Sequence, residues 1–517
     1  MSAAVMTKAK TGSGGRDLRW LLDGMADAPP VPVAGISTDS RRLKPGDVFL
    51  ACRGASSHGL AFIDQAIAAG VAAIVWDSTT AVTPESRAGV VMVPVPALAD
   101  RLGELANRWF GAPSQRMKVS GVTGTNGKTT VAFLAAQCMR LLKRRCAYMG
   151  TLGSGMSTLN RDLGLTTPGC VDLHRKLAEF VALGAGHTAL EVSSHALHQK
   201  RIDGVQFDSV LFTNLSRDHI DYHGDMEAYG ETKARFVMDG NVEHRIIMVD
   251  SEFGRRLANR CADQRTDSVI AVSTQAEGDA ASMTHVHLQV NESDETGSRI
   301  DVRSSWGSTD FRLPLAGNFN VANAALVLAQ LLGWDISLGD ATNALSRVLP
   351  PPGRMQRVQA DTGAAAPAVY IDYAHTPAGL EAVLGTLRNH CNGALWCVFG
   401  CGGDRDQGKR ADMGKVVANL ADHAVVTSDN PRNEEPGEII SAVLRGMQPD
   451  TVAIVAIEDR AAAIAHAIAE AENGDIVLIA GKGHEDYQVI GNLRRPFSDY
   501  DVALRNLHER NSARRPR

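Results

Sequence analysis

The segment MKVSGVTGTNGKTT, residues 117–130, constrains the fold more than any other part of the chain. An apolar run typical of a β-strand ends in a glycine-containing turn, and a helical pattern of apolar residues begins directly after it. Such a turn lets backbone N–H groups approach phosphate oxygens, and the helix presents its positive N-terminus to them. Lys128 adds a point charge, and Thr129 adds a hydroxyl group suited to Mg²⁺. The segment therefore predicts a nucleotide site that takes ATP or GTP.

This loop departs from the strict P-loop spacing at one position. The spacing requires glycine at position 122, but the chain has Val122, with glycines at 121 and 124. The alternative is a turn rich in glycine and threonine that binds nothing, and the strand and helix on either side disfavour it. The predicted phosphate contacts are Gly124, Thr125, Asn126, Gly127, Lys128, Thr129 and Thr130.

The chain is longer than one hydrophobic core usually supports, since it has 517 residues. Prolines at 113 and at 350–352 mark two seams, which predict domains of residues 1–113, 114–350 and 351–517. Near-continuous apolar strands alternate with helical patterns in the second and third of these blocks. We therefore predict an α/β protein with mainly parallel sheets, a central P-loop-like domain and a Rossmann-like third domain. Ligands of such sheets gather at the carboxyl ends of the strands.

Composition excludes several classes of function. A formal net charge of -5 gives no general basic footprint, so no nucleic-acid partner is expected. No apolar run is long enough to cross a bilayer, and we expect no integral membrane contact. The eight cysteines form no CxxC pair or metal spacing, so we predict no catalytic role for them and a cytoplasmic location. We also predict a monomer. The first 15 or so residues and the arginine-rich tail are expected to be solvated ends.

Two polar clusters follow predicted strands of the middle block. The first contains Glu191, and the second, RDHIDYHG, contains His219 and His223. Mg²⁺ prefers oxygen ligands, so Glu191 with Thr129 and nucleotide phosphates would suffice to hold it. The two histidines are four residues apart and could instead indicate zinc, but the run is typical of a loop rather than of a zinc-binding helix. We favour a structural role for His223 and a functional one for His219.

Several motifs together resemble the Mur ligase family. GVTGTNGKTT, EVSSH, TNLSRDHIDYHG, GNFNVANA, GRMQRV and DYAHTP occur in order, with Lys233 in EAYGETKARF between the third and fourth. Any one of these motifs alone would be weak evidence for the family. Together they occur in the same order as in the family, and the match covers all three blocks. The resemblance implies an ATP-dependent amide-forming enzyme whose three domains bind a UDP-sugar peptide, ATP and an incoming amino acid.

The resemblance also assigns roles around the nucleotide. It implies that Glu191 and His219 bind Mg²⁺, and that Lys233 forms a carbamate with CO₂. A carbamate is a carboxylate that can hold a cation, whereas an ammonium group cannot. From the residues alone, Lys233 would be a solvated helix residue. Further nucleotide contacts implied by the resemblance are Asn320, Asn323, Arg354 and His375; the family commonly has glutamate where Gln356 stands.

The sequence TSDNPRNEEP in the last block determines the predicted amino-acid substrate. By resemblance, the DNPR motif marks the ligase that adds meso-2,6-diaminopimelate, and an arginine fork suits a carboxylate. The distal end of this substrate is zwitterionic and needs contacts of both signs. A lysine-adding relative would need no arginine for that end. The implied contacts are Arg405, Asp429, Asn430, Arg432, Gly481 and Glu485.

The first block is the least informative by physical chemistry alone. The resemblance makes it the domain that binds the UDP part of the precursor, UDP-N-acetylmuramoyl-L-alanyl-D-glutamate. Members of this subtype often read NTTP where this chain has Leu165 before TTP, which removes one polar contact. Ser193 is not a hydrolase nucleophile, because EVSS lacks the GxSxG elbow. The implied precursor contacts are Ser40, Arg41, His58, Thr166, Thr167, Ser193, Gln199 and Arg201.

The predicted reaction phosphorylates the D-glutamate carboxylate with ATP and then transfers the acyl group to diaminopimelate. Two alternatives remain within the family, which are addition of lysine and joining of a dipeptide at the next step. A third alternative, from another class, is a binding module that takes the UDP precursor and nucleotide without turnover. The presence of Lys128, Glu191, His219 and Lys233 argues against that module.

Overall fold

A computed structural model describes residues 16–54, 57–79, 83–85, 87, 89–161, 164–265, 268–275, 283–360, 366–447 and 452–514. Residues 1–15, predicted to be a solvated end, and residues 515–517 lie outside these ranges. The prediction of a solvated end is wrong for the rest of the tail HERNSARRPR, because the last helix extends to Arg514 and Arg510 within it is buried and donates to the carbonyl oxygen of Ala469 at 3.2 Å. None of the helices within them is both long and apolar enough to cross a membrane. The chain divides into two compact units, which are described in turn.

The first unit comprises residues 1–117, 167–184 and 195–206. A parallel four-stranded sheet in the order β1-β2-β3-β4 forms its centre. Apolar side chains of its strands pack against α1, α3 and α5. The Asp17 side chain caps α1, and Gly111 ends α3 in the left-handed conformation. The elements are α1 (Leu18–Leu21), β1 (Gly35–Ser37), η1 (Ser40–Arg42), β2 (Asp47–Ala51), η2 (Gly59–Phe62), α2 (Ile63–Ala68), β3 (Ala73–Asp77), β4 (Val91–Val95), α3 (Leu98–Phe110), η3 (Pro113–Gln115), α5 (Cys170–Ala182) and, starting at the boundary, α6 (Ser194–His198).

The second unit begins with a ten-stranded sheet in the order β14-β13-β12-β11-β10-β9-β5-β8-β6-β7. Strands β12 to β14 pair antiparallel, as two successive hairpins. The remaining pairs are parallel except β6 with β7. The elements are β5 (Lys118–Thr123), α4 (Lys128–Leu141), β6 (Cys146–Gly150), β7 (Gly153–Gly155), β8 (His187–Glu191), β9 (Ser209–Phe212), α7 (Ile220–His223), α8 (Met226–Met238), β10 (His244–Met248), α9 (Glu252–Arg265), β11 (Val269–Ser273), β12 (Thr284–Asp294), β13 (Gly297–Ser304), β14 (Gly307–Leu313), α10 (Asn318–Gly333) and α11 (Leu338–Leu345).

A six-stranded sheet in the order β15-β16-β20-β17-β18-β19 completes this unit, together with a separate hairpin. Apolar side chains of α12, α13 and α14 cover one face and those of α15 and α16 cover the other, as in a doubly wound fold. The elements are β15 (Gln356–Arg357), β16 (Ala368–Asp372), α12 (Pro377–Arg388), β17 (Leu395–Phe399), α13 (Lys409–Leu420), β18 (His423–Val426), α14 (Pro436–Leu444), β19 (Ala453–Ala456), α15 (Arg460–Glu470), β20 (Ile476–Ala480), β21 (Tyr487–Ile490), β22 (Leu493–Pro496) and α16 (Asp499–Arg514).

The predicted α/β class with parallel sheets is confirmed. The near-continuous apolar runs of the second and third blocks are strands. β9, β5 and β8 are neighbours in the ten-stranded sheet, and β16, β20, β17 and β18 are neighbours in the six-stranded one. Their carboxyl ends therefore bring together the polar motifs that follow them. The proposed boundaries at 113/114 and 350/351 stay a prediction, because the two compact units follow a different division.

Candidate active site

The nucleotide loop lies between β5 and α4. Gly124 and Gly127 have φ angles of 146° and 86°, which side chains other than glycine rarely adopt. A Cβ on Gly124 would lie 1.9 Å from Thr213 Oγ1, and one on Gly127 would lie 2.5 Å from Asn323 Oδ1. Val122 is buried inside β5, so the departure from the strict P-loop spacing falls in the strand and not in the loop.

Two lysines converge on one carbonyl oxygen of this loop. Lys128 Nζ and Lys233 Nζ each donate to Gly124 O at 2.9 Å, and Lys128 also donates to Thr125 O at 2.7 Å. Burial lowers the pKa of Lys128. Burial, together with the charge of Lys128, lowers the pKa of Lys233 well below its ordinary value. Lys128 thus lies where the phosphates are predicted to bind, and the lowered pKa of Lys233 favours its neutral form.

Glu191 ends β8 directly beside the start of α4. Thr129 Oγ1 donates to its Oε2 at 2.9 Å, Thr151 N donates to Oε1 at 2.9 Å, and Thr151 Oγ1 donates to Oε2 at 3.0 Å. The Tyr148 hydroxyl donates to Oε1, and burial with the charge of Glu191 raises the pKa of that tyrosine well above its ordinary value. The sequence analysis missed Tyr148 and Thr151; the apolar run CAYMG of β6, followed by small polar residues, was the available signal.

Thr129 and Glu191 provide some, but not all, of the ligands that a Mg²⁺ site needs. Thr129 and Glu191 supply adjacent oxygen donors of the kind that Mg²⁺ prefers. No cluster of three or more His, Cys, Asp or Glu residues able to hold a metal occurs within the described ranges, so nucleotide phosphates and water would have to complete the coordination. The predicted ligands His219 and Lys233 lie on either side of Tyr229: the His219 ring centroid is 6.2 Å and Lys233 Nζ 4.5 Å from the Tyr229 ring centroid.

Asp218 connects the two sheets of the second unit. Its carboxylate lies 3.5 Å from His219 Nε2, 3.7 Å from His375 Nε2 and 3.4 Å from Lys409 Nζ. Burial opposes its ionisation, but the hydrogen bond and charge of His375 and the charge of Lys409 outweigh burial and lower the pKa of Asp218. Lys409, in the GKR run that begins α13, is a functional candidate that the sequence analysis missed.

Arg354 reaches the nucleotide loop from the last block. Its Nη2 donates to Thr129 Oγ1 at 3.1 Å, and its guanidinium lies 4.2 Å from the centroid of the Tyr373 ring. Gln356 accepts from Gly353 N through Oε1 at 2.7 Å and so closes the turn that carries Arg354. The predicted nucleotide residues Asn320 and Asn323 are buried on α10, and Asn320 Nδ2 donates to Ala316 O at 2.8 Å.

The two predicted carboxylate-binding arginines lie together. A Cβ on Gly402 would lie 2.9 Å from Arg432 Nη1 and 3.9 Å from Arg405 Cγ, so both side chains border this glycine. Arg432 has φ 54°, its Nη1 donates to Gly403 O at 2.6 Å, and its backbone N donates to Val489 O at 3.1 Å. These bonds fix the DNPR loop against β21 and leave part of the Arg432 guanidinium for another acceptor.

The acidic half of the predicted amino-acid site lies at the ends of β18 and β20. Gly481 has φ 113°, and a Cβ there would lie 2.6 Å from Asp429 Oδ2. Asn430 Nδ2 donates to Glu485 Oε2 at 2.9 Å. Lys482, which the sequence analysis did not single out, donates to the same oxygen at 2.9 Å. The structure therefore brings Asp429, Asn430, Gly481 and Glu485 together, as predicted from the resemblance.

The predicted precursor contacts in the first unit form two groups. Ser40 and Arg41 are in η1, where Ser40 Oγ donates to Gln65 Oε1 and Arg41 pairs with Asp39. His58 caps η2 through Nδ1, and its buried Nε2 makes no hydrogen bond to the described residues. In the second group, Arg201 donates to Gln199 Oε1 through Nε and to Thr167 O through Nη1, at 3.1 and 3.0 Å.

The other two predicted precursor contacts belong to the second unit. Thr166 Oγ1 lies 3.1 Å from Thr151 Oγ1, which connects it to Glu191. Ser193 follows β8, two residues after Glu191. Leu165 is 51% exposed, so replacing the polar residue common at this position leaves an apolar side chain in solvent.

Models of the Mur ligase family match most of the chain. The Mur ligase family catalytic domain matches residues 32–110, the Mur ligase middle domain residues 122–331, and the Mur ligase glutamate ligase domain residues 353–483. These matches follow the order of the three sheets.

Relatives and solved structures agree with these matches. The UDP-N-acetylmuramoyl-L-alanyl-D-glutamate--2,6-diaminopimelate ligase of Chromobacterium violaceum is 44% identical over 92% of this chain and 94% of its own length. The ligase of the same name from Alkalilimnicola ehrlichii is 41% identical over 96% and 98%. A solved structure with that name has 31% identity and a TM-score of 0.66, covering 98% of this chain and all of its own. MurF from Acinetobacter baumannii shares the fold at 18% identity, with a TM-score of 0.65 over 96% and 98% of the chains. The chain belongs to the Mur ligase family.

Proposed function

We propose that the protein joins meso-2,6-diaminopimelate to UDP-N-acetylmuramoyl-L-alanyl-D-glutamate, with ATP converted to ADP and phosphate. The observation that carries this proposal is the pairing of two sites at the carboxyl ends of neighbouring sheets in one unit. One site has Lys128 and Lys233 on the carbonyl oxygen of Gly124, with the neighbouring Thr129 bonded to Glu191. The other has Arg405 and Arg432 beside Gly402, and Asn430 of the same DNPR loop bonded to Glu485. Relatives named for this reaction share more than 40% of their residues with the chain.

In the first step, an oxygen of the D-glutamate γ-carboxylate attacks the γ-phosphorus of ATP, and ADP leaves. Lys128 and the N-terminus of α4 stabilise the negative charge on the phosphates. Thr129, Glu191, His219 and a carbamylated Lys233 would hold Mg²⁺, which would further neutralise that charge. The product is an acyl phosphate, which has a good leaving group where the free carboxylate has none.

In the second step, an amine of diaminopimelate attacks the acyl carbon, phosphate leaves, and the nitrogen loses a proton. Arg405 and Arg432 hold the distal carboxylate, and Gly481 and Glu485 receive the distal ammonium group. Binding both ends in a fixed orientation brings the attacking amine close to the acyl carbon, which supplies much of the rate acceleration. No protein nucleophile takes part.

Carbamylation of Lys233 belongs to this proposal. The reaction with CO₂ requires a neutral amine, and the lowered pKa of Lys233 increases the population of that form. Lys233 is 1% exposed and donates to a backbone carbonyl rather than to a carboxylate. With ¹³C-labelled bicarbonate, we expect a carbamate carbon resonance that the Lys233→Met variant lacks. Full activity without any such resonance would rule the carbamate out.

The test of the reaction is release of phosphate and ADP, measured with the precursor and each candidate amine. We expect turnover to require both the precursor and diaminopimelate, with lysine a poor substitute. ¹⁸O placed in the precursor carboxylate should appear in the phosphate released. Phosphate release without either acceptor substrate would reject the ligase reaction. A preference for lysine or for a dipeptide would select one of the other family reactions.

The proposal also includes domain boundaries at 113/114 and 350/351, a monomer, a cytoplasmic location and no nucleic-acid partner. The binding module without catalysis is the alternative from another class. It predicts precursor binding with no ADP formed under any combination of substrates.

A further inference from the structure

Lys482 is a fully buried charged residue within the proposed amino-acid site. It follows β20 and is 0% exposed. Its Nζ donates to Asn430 Oδ1 at 3.1 Å and to Glu485 Oε2 at 2.9 Å. It also lies 5.5 Å from the centroid of the Tyr487 ring. A lysine ammonium has three donors, and two of them are used here on side chains predicted to contact the substrate.

We propose that Lys482 is a positioning residue for diaminopimelate, which it serves by fixing Glu485 and Asn430 in one arrangement. This inference rests on the proposed function. The Lys482 ammonium does not contact the substrate. Instead, it determines how the carboxylate of Glu485 and the amide of Asn430 are presented to the distal end of the substrate.

The hydrogen bonds around Lys482 leave a specific set of groups available. Asn430 Oδ1 accepts from both Lys482 Nζ and Val489 N, the latter at 2.9 Å, so the amide cannot turn without losing both bonds. Its Nδ2 then points to Glu485 Oε2, which already accepts from Lys482. Among the described hydrogen bonds none reaches Glu485 Oε1, which is left to accept from the substrate ammonium group.

The charge of Lys482 has a second consequence. The side chain of Glu485 is only 15% exposed, and a carboxylate in such a place is costly to bury without a cation beside it. Lys482 provides that cation before substrate arrives. The site is therefore arranged in advance, and binding does not have to reorient Glu485.

Arg460 is a buried cation with a different set of hydrogen-bond partners. It is also almost fully buried, but it pairs with Asp499 and donates to the carbonyl oxygens of Ser428 and Ala480. These partners hold the strand ends together and include no predicted substrate contact. Lys482 differs because both of its hydrogen-bond acceptors are side chains of the proposed site.

The experiment compares Lys482→Met with Lys415→Met. The second variant removes an exposed lysine from α13, a helix that covers the same six-stranded sheet. We expect Lys482→Met to raise the KM for diaminopimelate roughly 10- to 100-fold. The KM values for ATP and precursor should stay within about twofold of wild type, as should all constants of the control. Equal losses for all three substrates, or an unchanged KM for diaminopimelate, would overturn the inference.

A double-mutant cycle tests whether Lys482 acts through Glu485. If it does, Lys482→Met combined with Glu485→Gln should raise the KM little more than Glu485→Gln alone. Effects that multiply would show that the two residues act separately and would overturn the inference.

Lys482→Gln provides a second variant, since it removes the charge but keeps a donor group. We expect it to raise the KM less than Lys482→Met does. Thermal melting shows whether each variant is folded; if neither is, Lys482 serves the stability of the domain and the inference is wrong. Wild-type protein without diaminopimelate-dependent turnover would reject the proposed function instead, so the two failures are distinguishable.

Discussion

The nucleotide loop and the amino-acid site use their lysines in different ways. At the loop, Lys128 and Lys233 share one carbonyl oxygen, and burial lowers the pKa of both. At the amino-acid site, Lys482 is paired with Glu485. The loop lysines thus donate to a backbone acceptor, whereas Lys482 donates to a carboxylate.

This difference corresponds to the ligands that we propose. A loop whose lysines donate to backbone carbonyl oxygens suits a polyanion, because the phosphates offer Lys128 charged acceptors in place of the backbone. A balanced site suits a zwitterion, whose net charge is near zero and whose recognition depends on where each charge lies. The loop therefore contributes mainly charge stabilisation, and the amino-acid site contributes mainly orientation and specificity.

Removing one charge from the loop should have the largest effect. We expect Lys128→Met to lower kcat about 100- to 1000-fold, because the lysine stabilises charge that develops on the transferred phosphoryl group. The variant should still bind diaminopimelate with a near-normal KM. ADP formation at saturating substrates measures the effect.

The matched control for this variant is Arg140→Met, which removes an exposed cation from the same helix. It should leave kcat unchanged. A loss in Lys128→Met no larger than in this control would remove the basis for treating the loop as the phosphate site.

The strands and the loop were predictable from sequence because their signals are local. Apolar runs ending in glycine and polar residues identify β5 and β8, and the helix pattern identifies α4. Lys233 shows what local signals miss. On its own, a lysine in a helix with mixed neighbours indicates an exposed side chain, yet the packing of α8 leaves it 1% exposed.

The residues that sequence analysis missed are those whose partners lie far away in the chain. Lys482 pairs with a residue three positions away but also with Asn430, and Lys409 pairs with Asp218 of the other sheet. No periodicity or spacing encodes such contacts, because they arise only when separate strands align their ends. The resemblance located Asn430 and Glu485 without indicating what holds them.

Replacing Arg432 in the amino-acid site should have the second-largest effect on the reaction. We expect Arg432→Lys to raise the KM for diaminopimelate roughly 10- to 100-fold, since lysine cannot replace a planar, doubly donating group. The KM for ATP should change by less than about twofold. Steady-state kinetics with each substrate varied in turn provides the measurement. Equal weakening of both substrates would place Arg432 outside the amino-acid site.

His484 connects the nucleotide site with the amino-acid site, and it should make the free energy of unfolding depend on pH. Its Nε2 lies 3.2 Å from Thr151 O, and burial, with the charge of Arg354, lowers its pKa to about 3. The unfolded chain takes up this proton near pH 6.5 and the native protein only near pH 3, so the native state loses stability as pH falls between these values. From pH 7 to 5 the loss attributable to His484 is about 2 kcal/mol.

Urea unfolding at pH 7 and pH 5 measures this effect. The His484→Gln variant lacks the titrating group, so its free energy of unfolding should fall by about 2 kcal/mol less than that of wild type over the same interval. His508→Gln, which changes an exposed histidine on α16, is the control and should follow wild type. Parallel pH profiles for wild type and His484→Gln would contradict the neutral, buried imidazole.

The smallest effect is expected at Gln356, where the chain departs from the glutamate common in the family. Gln356 Oε1 accepts from Gly353 N, and a carboxylate oxygen can accept the same bond. A glutamate would add negative charge near Arg354, which reaches the loop through Thr129. We expect Gln356→Glu to change the KM for ATP by no more than about twofold, because the turn that carries Arg354 is kept. A change above tenfold would mean that the charge at position 356 acts on the loop through Arg354, so that residues outside the loop help to set its affinity for the nucleotide.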